Sequence, residues 1–270
     1  MKGWIIFKHA ALMLWDNREV ALRITAIPFI ATTALIIAYL AIASDLVLMT
    51  EQFYSGSPIS TPPAVPDEQN GEYLRGLWGY LALTALVTLW VFVAWHRFVL
   101  LDEPPKGIIP AIHAKRSLAY AGQFIKIFLI AFLAILPIAA ALVGLVIAFD
   151  TLAIGAAENP NLIAAGTVGL IFLLVPFLMR VSMILPASAI GHPLKVREAW
   201  RQTQGSTVAI FIAIIIAAII QLGLQFVFNF ASGLPIVGFS IATLVSFVIG
   251  MFNASLLTTL YGHYIENREI

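Results

Sequence analysis

The sequence predicts an all-α fold: a polytopic bundle of six membrane-spanning helices, led by an amphipathic interfacial helix and carrying short interfacial helices in its cytoplasmic connections. Three observations carry that prediction. Of 270 residues, 61% are hydrophobic and only 11% charged, whereas soluble domains carry about 25% charged residues. The apolar residues also gather into runs of ~20 or more, the length that crosses the hydrocarbon of a bilayer. Those runs lack the ~10-residue alternating segments of a membrane barrel, so helices must satisfy the backbone within lipid. With no cysteine, disulfides, iron–sulfur clusters and thiolate metal sites are excluded. The formal charge of +1 says nothing about nucleic acid, but there is no basic run of the kind that tracks a phosphate backbone, and no nucleic-acid partner is expected.

Residues 1–19 come first. After Lys2 the apolar stretch is interrupted by Lys8 and His9 and ended by Asp16-Asn17-Arg18-Glu19, which is not the pattern of a cleavable signal. On a helical wheel Lys2, Lys8, His9, Asp16 and Glu19 share one arc, while Phe7, Ala10, Ala11 and Leu14 lie opposite, flanked by Trp4 and Trp15. That suits a helix at headgroup depth, where tryptophan concentrates; a short helix packed under the bundle is the alternative. Six apolar segments follow, at about 23–48, 77–101, 124–149, 162–189, 206–230 and 238–264. Together they form one integral membrane domain over 1–270. Pro28, Pro137 and Pro176 lie inside spans, where kinks or local unwinding are expected.

The connections differ in character. Residues 49–75 are Pro-rich and acidic and read as an extended extracytoplasmic loop. A short turn is expected over 150–161, and a very short connection over 232–235. On the cytoplasmic side, Pro193 is placed to open a helix on which Val196, Ala199, Trp200 and Thr203 share a face. Residues 110–121 repeat that theme loosely after Pro110, with Lys115 and Arg116. The runs beginning at Arg97 and at Arg180 are weakly parallel, each followed by prolines, a basic stretch and another span.

Orientation follows from the basic residues. With the N-terminus inside, fourteen of the 15 Lys and Arg residues fall on the cytoplasmic side and only Arg75 outside, while the acids divide evenly. Lys and Arg govern insertion, so both termini are expected in the cytoplasm.

Polar groups at membrane depth suggest function, because hydrocarbon makes them costly. Arg97 and Arg180 sit near the cytoplasmic ends of their spans, either as snorkelling anchors or as guanidinium groups for lipid phosphates or a partner's carboxylates. Gln221, Gln225 and Asn229 recur every four residues and line one helix face, either as interhelical glue or as a polar path, with Asn253 a candidate partner. The five histidines never take the i, i+4 spacing of a helical metal site, no span carries paired acids, and neither a phosphate loop nor a nucleophile elbow occurs. No catalytic, cofactor or metal residues are therefore assigned, and an enzyme is not expected.

Residues 180–205 carry a distinctive pattern. Arg180-Val181-Ser182-Met183-Ile184-Leu185-Pro186-Ala187 leads to Gly191-His192-Pro193-Leu194, then to Arg197-Glu198-Ala199-Trp200-Arg201 and Thr203-Gln204-Gly205. This resembles YciC-like bacterial membrane proteins and the membrane domain attached to some glycerophosphodiester phosphodiesterases. The resemblance implies a bacterial inner-membrane protein of the envelope, supplies no catalytic residues, and makes Arg180, Trp200 and Arg201 candidates for a shared structural or lipid-contacting role. A phosphodiesterase activity does not carry over, because the soluble barrel that performs it has no counterpart in this sequence.

The leading expectation is thus a non-enzymatic inner-membrane protein that binds lipid or acts as a scaffold, using anionic headgroups on the cytoplasmic side. Arg97, Arg180, Arg197, Trp200 and Arg201 are the candidate lipid or partner contacts. The alternatives are an accessory subunit of a larger membrane complex, bound to other membrane proteins, and a transporter or permease for small molecules or lipid.

Overall fold

The computed structural model describes residues 2–42, 67–105, 107, 109–151, 160–231 and 235–270. Among these it is helical throughout, with no strand. The helices are α1 (Lys2–Asp16), α2 (Arg18–Ile42), α3 (Asp67–Leu101), α4 (Ala114–Thr151), α5 (Pro160–Ser182), α6 (Ile184–Ile190), α7 (Val196–Gln202), α8 (Thr207–Ala231) and α9 (Pro235–Tyr264). Four stretches among the described residues are long and apolar enough to cross a membrane: Trp78–Leu101, Ala114–Ala148, Thr207–Leu224 and Thr243–Tyr264.

Helix α9 is the hub, packing against α1, α2, α3, α6 and α8. Its last four turns carry small and hydroxyl residues that let neighbours approach closely. Ser255 and Thr258 stay buried because each hydroxyl donates to the carbonyl four residues back, Met251 O at 2.9 Å and Ala254 O at 2.7 Å. Helix α1 lies against α8 and α9 through Gly3, Ile6, Phe7 and Ala10, leaving Trp4 and Trp15 exposed. Glycine is required at position 3: a β-carbon there would stand 2.6 Å from Ala209 O and 2.7 Å from Ile212 Cβ. Asn17 makes the corner between α1 and α2. Its amide donates to Met13 O at 2.8 Å and its own carbonyl accepts the first bond of α2, from Ala21 N at 2.9 Å.

The core sits at the basic end, where α1, α6 and α7 pack among the long helices and Ile6, Met183, Ile184, Ala187, Ala199 and Ile210 are fully buried. Away from it the long helices turn apolar side chains outward, as α4 does with Phe128, Phe132 and Leu133. Water would drive such surfaces together, whereas lipid tails solvate them.

Several expectations change. Helices α2, α4 and α5 stay continuous through Pro28, Pro137 and Pro176, without local unwinding there. The break falls instead at Met183, dividing the segment expected at 162–189 into α5 and α6. Pro186 explains it. Its ring would clash with Ser182 O in a continuous helix, yet it is tolerated near the start of a new one, whose first N–H groups lack helical partners anyway. Residues 114–121 form no separate interfacial helix. They are the first turns of α4, whose 38 residues span ~57 Å, far more than the ~30 Å of hydrocarbon. Helix α7 opens at Val196 with Lys195 as its N-cap, not at Pro193. Residues 67–75 belong to α3 rather than to a loop. The rest of the loop expected at 49–75, most of the turn at 150–161 and residues 232–234 lie outside the described residues.

Candidate functional site

Three arginines at the basic end each donate to the last carbonyls of another helix. Those carbonyls have no partner within their own helix, and a cation there also suits the negative end of the dipole. Arg97 of α3 donates from Nη1 to Ala189 O at the end of α6, at 3.0 Å, while Nε and Nη2 form a two-pronged pair with Glu103 at 2.9 and 2.8 Å. Arg268, beyond α9, donates from Nη2 to Leu100 O at 2.9 Å, closing the end of α3.

Arg180 of α5 is the third and the most enclosed, 5% exposed. It donates from Nη2 to Trp200 O in the last turn of α7 at 2.7 Å, from Nε to Thr203 Oγ1 at 2.9 Å and from Nη1 to Thr207 Oγ1 at 3.2 Å. Its guanidinium carbon lies 3.8 Å from the centre of the Trp200 ring, which stacks in turn on Phe177 at 5.8 Å. Arg180 and Trp200, candidates for a structural or lipid-contacting role, grip each other, and Arg180 pins α5, α7 and α8 together, while Trp200 stays 38% exposed. Arg197 and Arg201 stand exposed on the outer face of α7.

The turn after α6 completes this end. Gly191 takes φ +87°, and its N–H and that of His192 return to Ser188 O and Ala187 O at 3.3 and 2.9 Å, a helix-terminating pair that needs the left-handed glycine. The guanidinium of Arg116 lies against Gly191, in the space a β-carbon would take.

One buried polar network was not legible in the sequence. His96 is fully buried, with Nδ1 2.7 Å from Thr258 Oγ1 and Nε2 3.2 Å from Tyr120 OH. The Thr258 hydroxyl already donates to Ala254 O, so it accepts from Nδ1–H, and Nε2 accepts from Tyr120. Every proton in the chain then has an acceptor, with His96 neutral. The network ties α3, α4 and α9 and is closed to solvent.

Between α1 and α2 on one side and α8 and α9 on the other runs an apolar groove of about 710 Å³. Leu14, Ala26, Phe29, Leu224, Phe247 and Phe252 contribute to its walls. At its basic end stand Trp15 and Arg18, whose guanidinium carbon lies 5.6 Å from the Trp15 ring and whose Nη1 donates to Trp15 O at 3.2 Å. Gln221 also borders the groove and donates to Asn253 Oδ1 at 3.1 Å, joining α8 to α9; the side chains of Gln225 and Asn229 lie outside the described residues. His9, half-buried on α1, is held below its usual pKa by burial and by the charge of His263.

Among the described residues no three His, Asp or Glu side chains are grouped to hold a metal. Comparison with protein-family models, curated proteins and solved structures found no match to this chain.

Proposed function

We propose that this chain is a non-enzymatic, six-span protein of the bacterial inner membrane, with both termini in the cytoplasm, that holds a membrane lipid in the groove between α1, α2, α8 and α9. The observation that carries this reading is the groove itself. Its walls are apolar, it runs along α8 and α9, which are long and apolar enough to cross a membrane, and Arg18 and Trp15 stand at its basic end. From Arg18 to Ile30 helix α2 rises ~18 Å, close to half of the ~30 Å hydrocarbon. That is the depth of one leaflet, so an acyl chain would fill the groove while its phosphate meets Arg18. Arg197 and Arg201 on α7 supply further positive charge for anionic headgroups at the same surface.

The orientation rests on the distribution of Lys and Arg, and the bacterial setting on the resemblance of residues 180–205 to YciC-like proteins. The test is extraction into native-lipid particles followed by mass spectrometry of what co-purifies. Selective retention of an anionic phospholipid, lost in Arg18→Gln and in Ala26→Trp, which fills the groove, supports lipid holding. Bulk-membrane lipid composition in all three proteins would overturn it. A second protein at fixed stoichiometry would make the chain an accessory subunit.

A further inference from the structure

Next to the groove lies a second cavity, of about 260 Å³, bordered by α2, α3 and α9. Its lining has another chemistry. Thr32, Tyr80, Thr84, Thr88, Thr243 and Ser246 bring six hydroxyls to it, and no charged residue lines it. Threonine and serine within membrane helices commonly hide their hydroxyls by bonding to the preceding turn. Here that holds in part: Thr32 donates to Pro28 O at 2.7 Å and Thr88 to Thr84 O at 2.8 Å. Their protons are used, but their oxygens can still accept. Thr84 Oγ1 is different, for it is buried without any hydrogen-bond partner. Leaving a hydroxyl unpaired in an apolar setting is unfavourable, and rotation of the Thr84 side chain toward a ligand in the cavity would relieve it.

The cavity is also one-sided. Tyr80 and Val91 are eleven residues apart on α3, a rise of ~16 Å. Val91, Phe92 and Met251 close the end toward the basic side. Beyond them Trp95 and Ala254 belong to the same packed cluster, with Trp95 fully buried. The hydroxyl-bearing residues therefore lie toward the end away from the basic residues, above an apolar floor.

We infer that this chamber is a binding site for a small, uncharged, hydroxyl-bearing solute, a polyol of glycerol's class. Such a molecule donates to the oxygens of Thr32 and Thr88 and accepts from Thr84. It needs no counter-charge, and the lining offers none. Phe247 and Met251 border both this chamber and the apolar groove, yet the inference does not depend on lipid in the groove.

The absence of cysteine makes a direct test available. Ser246→Cys and Ala254→Cys proteins in liposomes would be treated with a charged, membrane-impermeant thiol reagent, with and without glycerol. The expected result is modification at position 246 at least about tenfold faster than at 254, since reaction requires a hydrated thiolate. Glycerol should slow it, by about half at half-saturation, and Thr84→Val should weaken that protection. A cysteine at 246 as inert as one at 254 would overturn the inference by showing a dry cavity. Reaction at 246 that glycerol leaves unchanged would overturn the ligand class.

Discussion

Replacing Arg180 by lysine keeps the charge and removes the planar fork. Lysine presents one ammonium in place of nitrogens that now reach Trp200 O, Thr203 Oγ1 and Thr207 Oγ1 at 2.7, 2.9 and 3.2 Å. At least two of these bonds are lost, at ~1.5–3 kcal/mol each for a charged donor, together with the stack on Trp200, worth ~0.5–2 kcal/mol. The ammonium recovers part of this by moving toward water, leaving an expected net loss of ~3 kcal/mol. For a chain of this size each kcal/mol shifts the midpoint by ~2–4 °C, so melting should fall by ~6–12 °C in detergent, followed by size-exclusion of heated samples. Arg180→Lys combined with Trp200→Leu should be less damaging than the sum of the two, with a coupling of ~1 kcal/mol or more. A lysine variant melting within ~2 °C of the parent, or a strictly additive pair, would show that the guanidinium does not clamp α7.

Other outcomes follow from the same geometry. His96→Phe strands the Tyr120 hydroxyl and should cost ~2–4 kcal/mol, whereas adding Tyr120→Phe and Thr258→Val should recover much of it, because removing every partner is cheaper than removing one; thermal melts of the single and triple variants decide this. Gly191→Ala forces a β-carbon into the left-handed region and against Arg116, and should lower stability by at least ~1 kcal/mol, read as a drop in melting temperature. Gly3→Val should lift α1 from α8, seen as faster proteolysis of the first helix while residues 18–270 stay intact. His9 binds a proton less readily with α1 docked than with it free, so docking is fully favourable above the ordinary histidine pKa of ~6.5 and weakens as pH falls below it; His9→Gln should flatten that slope in a pH series of the same proteolysis assay.

The helices were legible because lipid demands long apolar runs, and the described ends of α8 and α9 fall within a few residues of those expected. What stayed hidden depends on three dimensions. Pro186, not Pro28, Pro137 or Pro176, breaks a helix, and only packing of the short α6 against α3, α4 and α9 favours breaking there. Arg180 and Trp200 stand out in the sequence, but nothing in their spacing says that they face each other rather than the headgroups. Tyr120 and Thr258 carried no signal at all, since a hydroxyl on a membrane helix reads alike whether it meets a histidine or its own backbone. The Gln221–Asn253 bond lies between these cases: Asn253 stood out as a candidate partner, but sequence alone does not pair the two amides.

The arginine caps have a consequence for biosynthesis. A chain emerging from the ribosome makes α3 before α6, and α5 before α7, so Arg97 and Arg180 precede the carbonyls they will hold. Each stays unpaired with its carbonyl until the later helix is made. Arg268 closes the sequence in reverse, reaching back to Leu100 only after α9 is in place. Arg268 therefore acts as a latch on a helix end 168 residues earlier, a contact that can form only after α9 has folded.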